Sequence, residues 1–435
     1  MSKDKFKGFS RRAFIGTSAL GLAGLALLPA CKTMSSGKNT VRLGFIGLGQ
    51  QSMFLLNGFL QIEGVKVMAG CDVYGIKRQR FENKVSEFYK KAGQTAEIKT
   101  YEKYQELLAR TDIDAVVIAA PDHWHAFIAI AAVNAGKDVY LEKPVTFTIN
   151  EGKALKKAVR KNNRILAVGS QQRSDPNFQH TVKLIQEGAI GKIERINAYV
   201  GDPPAPYNLP EEQLPADLNW DLWLGPNPFV HYNHELDPPI SLNPPQDEQI
   251  WGAWRWYKET GGGFTTDWGA HMFDIVQWGL AMDKSGPIEI IPAGYKDTKF
   301  LTYKYANGTV MTEEPFDEIK TKGVKFWGTK GWIEVARGYF KSEPASLAQG
   351  NEVVQNGPYE TKIPHQINFI DAVRKRTDPA VTVEIGHRSC TVCNLGNISY
   401  ELGRPVKWNP ETEEFVNDAE ADKLMNRVYR EGYSL

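Results

Sequence analysis

The hydrophobic pattern changes character along the chain. From residue 41, short apolar runs alternate with helical patterns. The run Val41–Ile46 precedes a helical stretch from Met53 to Ile62, and the run Val65–Cys71 follows. Residues Tyr101–Arg110 read as helix, Ile113–Ala119 as a buried strand and His125–Ala135 as helix. Val139–Glu142, Asn150–Lys161 and Ile165–Gly169 repeat the order strand, helix, strand. Such alternation predicts a parallel sheet with helices on both faces. Beyond residue 170 hairpin signals replace it: Asn307-Gly308 inside Tyr303–Val310, and Thr329–Gly331 between two alternating runs from Val324 to Val335. Two helices, His365–Arg376 and Ile385–Leu402, follow; the second is expected to pack back on the first domain.

Residues 1–30 have a different pattern. Lys3, Lys5 and Lys7 precede Ser10-Arg11-Arg12-Ala13-Phe14-Ile15, then a Gly/Ala/Leu run reaches Leu28. That run is too short and too rich in small residues for a comfortable membrane span, and it reads as a signal peptide. The Arg pair resembles a twin-arginine export signal. Leu28-Pro29-Ala30-Cys31 resembles a lipoprotein cleavage box with Cys31 as the lipidated residue. A periplasmic location is expected, with the membrane touched only through signal or lipid anchor. Residues 31–40 then form a polar tether.

The 435 residues suit two domains. Charge is nearly balanced, with 52 basic and 51 acidic side chains, so nothing points to nucleic acid. Four cysteines are too few for a disulfide scaffold, and no His/Cys/Asp cluster has metal spacing. Cys390-x-x-Cys393 lies in a helical pattern without a second ligand pair and reads as packing.

Candidate chemistry collects at the ends of the predicted strands. Gly47-Leu-Gly49 joins the first strand to a helix beginning near Gln50 and Gln51. Glycines there permit a tight turn and a close approach of backbone to pyrophosphate, which a helix N-terminus stabilises. Asp72 ends the second strand, where a carboxylate accepts hydrogen bonds from ribose hydroxyls and repels a 2′-phosphate. NAD is therefore expected over NADP, although Lys77, Arg78 and Arg80 stand nearby. Pro121, Glu142, Lys143 and Gln171 fall at later strand ends. His123 and His125 open a helix beside the same pocket, and Arg173 follows Gln171.

Hydride transfer from a carbinol needs a base and a positive neighbour for the developing alkoxide. Lys143 supplies an ammonium. Asp267 and His271 are four apart, so on one helix they share a face and the carboxylate can orient the imidazole. Gly261-Gly-Gly263 before them suggests close backbone packing. Eleven of the 24 prolines lie between Pro203 and Pro245, in an insertion suited to a lid or arm. Seven of the 11 Trp fall between 220 and 278; most are expected in the core, with one or two facing ligand. Arg255 and Trp256 are the candidates there for substrate contact.

Taken together, Gly47-Leu-Gly49, Asp72, Pro121-Asp-His-Trp-His125, Glu142-Lys143-Pro144 and Asp267-Trp-Gly-Ala-His271 resemble the Gfo/Idh/MocA family of glucose–fructose oxidoreductase and inositol dehydrogenase. The resemblance implies an α/β protein. A Rossmann doubly wound parallel sheet (41–169) precedes a C-terminal α+β domain (170–435) with a large open, mostly antiparallel sheet and a homo-oligomer contact. It implies an NAD-dependent oxidoreductase acting on a hydroxyl or keto group of a sugar or glycoside. Lys143, Asp267 and His271 would be catalytic. Gly47, Gly49, Gln50, Gln51, Asp72, Pro121, His125, Glu142, Lys143 and Gln171 would hold cofactor. His123, Arg173, Arg255 and Trp256 would face substrate. Export favours a tightly bound cofactor. The alternatives are a glycosidase using transient sugar oxidation and a non-catalytic sugar-binding lipoprotein.

Overall fold

A computed structural model describes residues 40–244, 248, 250–350 and 362–435. Cys31 and the export signal lie outside the described residues.

Strands β1 (Val41–Ile46), β2 (Val65–Cys71), β3 (Lys99–Tyr101), β4 (Ala115–Ile118), β5 (Asp138–Leu141) and β6 (Leu166–Val168) form one sheet. Its order is β3-β2-β1-β4-β5-β6 and every pairing is parallel. This is the doubly wound arrangement that the strand–helix alternation predicts. Strand order reverses between β1 and β4, which pair from Leu43↔Ala115 to Ile46↔Ile118. Their outgoing loops therefore part and leave a crevice at the strand C-termini. One element differs from expectation. Residues 101–110 are helical only over Tyr104–Leu108, and the short edge strand β3 precedes that helix. Its Lys-Thr-Tyr sequence has no apolar run to announce it.

Nine strands form the second sheet: β7 (Ile193–Tyr199), β8 (Glu289–Ile291), β9 (Thr302–Lys304), β10 (Val310–Thr312), β11 (Gly323–Gly328), β12 (Gly331–Ala336), β13 (Tyr339–Glu343), β14 (Val406–Asn409) and β15 (Glu414–Phe415). Only β7 and β10 pair in parallel. Both expected hairpins are present, β9/β10 across Asn307-Gly308 and β11/β12 across Thr329-Lys330. Alternate residues Val324, Phe326, Ile333 and Val335 point into a core shared with Phe178, Phe273 and Val276. Between them, Lys325 and Glu334 form an ion pair at 2.7 Å.

Two late helices tie the sheets together. Lys362–Lys375 sends Phe369 and Ile370 into the core around Phe45, Phe59 and Tyr140 of the first sheet. Val383–Leu402 is capped by Thr382 and ends at Gly403. Its Val383 and Cys390 belong to the first sheet's core, and its Val392, Cys393 and Leu395 to the second. The Cys390 thiol donates to the Thr146 carbonyl at 3.1 Å, and burial pushes it up to about 11. Both cysteines of this pair are buried.

Arg173 is a correction. Expected at the substrate mouth, it is buried instead, and its guanidinium makes bidentate contacts to Asp274 (2.8 and 2.8 Å) and Asp283 (3.0 and 2.7 Å). It locks the turn after β6 to the helix Gly269–Gly279. Arg173→Leu leaves Asp274 buried without its counter-charge and is expected to cost about 3–5 kcal/mol. Urea unfolding measures this; a loss below about 1 kcal/mol would show that Ser389, which donates to Asp274 at 2.6 Å, suffices alone.

Candidate active site

The crevice has two lobes that share Gln51, Ala119, Ala120, Trp251, Trp254 and Arg255. Gly47, Gly49, Gln50, Asp72 and Pro121 line the first lobe. Gly47 has φ +80°, and a Cβ there would lie 2.5 Å from the Ala120 backbone nitrogen, so the turn requires glycine. A Cβ on Gly49 would meet nothing within 4 Å, which leaves the approach to the helix Gln50–Phe59 clear. No side chain caps that helix N-terminus. Asp72 Oδ2 accepts from Leu48 N–H at 2.7 Å and Oδ1 from Tyr74 N–H at 2.9 Å. Each oxygen keeps a lone pair for a further donor. These features fit a dinucleotide: a bare helix N-terminus for pyrophosphate and a fixed carboxylate for ribose.

The neighbouring basic residues are occupied. Lys77 pairs with Asp237, and Arg80 with Glu248 at 3.0 Å. Arg78 donates to the Asp72 carbonyl at 2.7 Å. Asp237 comes from the proline-rich segment, which packs Leu218, Trp220, Trp223 and Leu236 against Tyr74, and Glu248 lies just beyond it. That insertion is an arm laid over the end of β2.

Lys143, Asp267, His271, Glu142, Gln171, His125, Arg255 and Trp256 all line the second lobe. Lys143 Nζ donates to Asp267 Oδ1 at 2.6 Å and to the Asp267 carbonyl at 3.0 Å. Arg255 Nε stands 3.7 Å from the same carboxylate while its guanidinium stacks on Trp254 at 4.1 Å. Burial works to raise the Asp267 pKa, but Lys143 and Arg255 outweigh it and hold the group below its usual range. Glu142 Oε1 accepts from Gln51 at 2.9 Å and from Gln171 at 3.3 Å, an amide–carboxylate chain between the lobes.

The expected Asp267–His271 couple is corrected. Asp267 ends one short helix, Gly263–Asp267, and His271 lies in the next, Gly269–Gly279, with Trp268 between them. The carboxylate turns to Lys143 instead. His271 Nδ1 is buried without a hydrogen-bond partner. Burial first, then the charges of Arg337 and Lys143, hold the imidazole well below its ordinary pKa, so the neutral ring is favoured. The expected close backbone approach is present at Gly263 (φ +68°), where a Cβ would lie 2.4 Å from Pro204 N.

His123 is also corrected. Its ring lies 2.9 Å from the Trp223 carbonyl and 3.3 Å from that of Thr260, fully buried beneath the arm. His125 reaches the crevice wall, yet both ring nitrogens meet carbonyls, Pro144 at 2.6 Å and Ala120 at 2.9 Å. Burial pulls their pKa values to about 3 and about 4. The tight turn Asp122–Trp124 rotates Asp122, not His123, into the second lobe. The sequence pattern does not single out Asp122, Arg337 or Trp268, which also line this lobe; Asp122 directly precedes the His123-Trp124-His125 run, whose imidazoles are the more conspicuous ligand groups. Burial pushes Asp122 up to about 7, against the pull of Lys143 and Arg255. Among the aromatic residues, Trp220 and Trp223 are largely core, while Trp251, Trp254, Trp256 and Trp268 border the second lobe.

Comparison with known proteins accords with this arrangement. Residues 41–170 match the Gfo/Idh/MocA model described as oxidoreductase family, NAD-binding Rossmann fold. Residues 198–435 match the one described as oxidoreductase family, C-terminal alpha/beta domain. Inositol 2-dehydrogenase of Salmonella typhimurium is 30% identical over 155 residues, covering 35% of this chain and 44% of that protein. Glycosyl hydrolase family 109 protein 2 of Shewanella sp. is 33% identical over 169 residues, covering 33% of this chain and 35% of that protein. The matched segments thus span less than half the length of these curated relatives. Among solved structures, myo-inositol 2-dehydrogenase from Lactobacillus plantarum aligns with TM-score 0.57 at 18% identity, over 85% of this chain and 99% of that one. Aldose-aldose oxidoreductase from Caulobacter crescentus aligns with TM-score 0.55 at 17% identity, over 85% and 99%. At these identities the structural likeness speaks for the fold.

Asp122 gives a pH test. A carboxyl whose folded pKa stands above its unfolded value near 4 stabilises the fold only while protonated. That stability is complete below about pH 4 and lost as pH rises toward 7. Thermal unfolding across pH 4–8 should show a falling contribution in the wild type that Asp122→Asn removes. Parallel curves would show Asp122 ionised throughout.

Proposed function

Because the chain belongs to the Gfo/Idh/MocA oxidoreductase family, we propose that it oxidises or reduces one carbinol carbon of a sugar or glycoside, using NAD held in the first lobe. The observation that carries this reading is the convergence of Lys143, Asp267 and His271 on one lobe continuous with the dinucleotide loops. A bound nicotinamide would accept the hydride. Lys143, held against Asp267, would stabilise the alkoxide as it forms. His271, neutral and with a free Nδ1, would take the hydroxyl proton. Asp267 is a positioning residue for the Lys143 ammonium in this scheme. Trp256, Trp268 and Phe264 supply apolar lining to the lobe beside the Arg255 guanidinium, which would bond substrate hydroxyls.

NAD is preferred over NADP because Asp72 faces the ribose position and Lys77 and Arg80 are already neutralised by Asp237 and Glu248. A periplasmic location, lipidation at Cys31 and a homo-oligomer remain part of the proposal, supported by the sequence alone.

Relatives named as glycosyl hydrolases favour a second reading. In it, transient oxidation lets the aglycone eliminate and the reaction ends without net redox change. Product analysis separates the two. Incubation with NAD and a panel of glycosides is expected to give a keto-sugar with a matching rise in reduced-nicotinamide absorbance; a free aglycone with no net rise supports hydrolysis. Under either reading, His271→Ala should lower turnover by at least about 100-fold while NAD affinity is retained. Unchanged turnover would remove His271 from the chemistry.

A further inference from the structure

The first lobe has one apolar end that the pyrophosphate and ribose contacts leave unused. Its wall there includes Tyr104, Trp124, Ile128, Leu222 and Tyr433; Tyr104 follows β3, which flanks β2 on the side away from β1 and its glycine turn, and Trp124 stands 5.7 Å from the Tyr104 ring. Tyr433 comes from the segment that follows the helix Ala419–Lys423, more than 300 residues after Gly47, Gly49, Asp72 and Pro121. Its ring stands edge-on to Trp124 at 5.7 Å and to Phe127 at 6.0 Å.

This segment is pinned at several points. Arg427 Nε lies 2.7 Å from Glu151 Oε1, whose side chain is fully buried, and the guanidinium also donates to the His123 carbonyl at 2.7 Å. Arg430 N–H donates to the Pro226 carbonyl at 3.0 Å, and its guanidinium pairs with Asp221 at 2.7 Å. Tyr433 N–H donates to the Arg430 carbonyl at 3.1 Å. The ring is thus held between the first domain and the arm, on the crevice wall.

We propose that Tyr433 is a cofactor-contacting residue, an aromatic wall for the adenine ring of the dinucleotide. The argument is one of order along the ligand. Pyrophosphate sits at the glycine turn and ribose at Asp72, so the flat base must lie beyond the ribose. There the lobe offers aromatic and aliphatic surface, which suits a purine and gives a phosphate or sugar little to bond. The inference rests on the dinucleotide reading above and adds a contact from the far end of the chain.

Calorimetric titration of the cofactor-free full chain with NAD, ADP-ribose and AMP tests it. Tyr433→Ala and Tyr433→Leu should each weaken all three by about tenfold, and Tyr433→Phe should bind as the wild type does. Wild-type affinity in the Ala or Leu variant overturns the proposal. So does an equal loss in the Phe variant, which would place the effect in the hydroxyl or in displacement of the segment. If the wild type binds none of the three ligands, the dinucleotide reading itself fails, a result distinct from either of these.

Discussion

The ion pair between Lys143 and Asp267 is the constraint around which the crevice is organised. Lys143 leaves the C-terminal end of β5, in the parallel sheet; Asp267 closes a short helix that belongs to the second domain. Their contact at 2.6 Å, with both side chains about 15% exposed, bridges the two. Such a pair pays for desolvation on both sides and gains little net stability. What it does provide is placement. With its ammonium held by a carboxylate, Lys143 points along one line into the lobe, and Arg255 on the same carboxylate keeps the opposite wall in register. A neutral His271 nearby avoids adding a third positive charge to that wall.

The legible part of this protein was what local chemistry dictates. Apolar runs ending in Gly47, Asp72, Pro121 and Lys143 marked strand C-termini, and parallel sheets place ligands there. Hairpin residues marked β9/β10 and β11/β12. The misread parts share a cause. Asp267 and His271 are four apart, but Trp268 interrupts the helix and lets the carboxylate swing to a partner 124 residues away. His123 and Arg173 carry polar groups suited to a ligand, yet carbonyls and carboxylates from distant elements consume them. Asp237 of the arm and Glu248 beyond it could not be matched to Lys77 and Arg80 from order along the chain. In each case the missing information was the identity of a long-range partner.

The arm shows how the charge at the end of β2 is assembled from two domains. A cluster of basic residues next to a ribose site favours an extra phosphate when it is left unneutralised. Here the second domain supplies acids for two of the three. The electrostatic character of the site is therefore a property of the folded pair of domains, and residues 75–91 alone carry the opposite sign of suggestion.

The helix Val383–Leu402 has a similar reach, with one end in each hydrophobic core. Neither half of the chain, cut at the boundary between the sheets, would contain all the side chains that fill its own interior. The two sheets should consequently lose structure in a single concerted event, with no stage at which one survives alone.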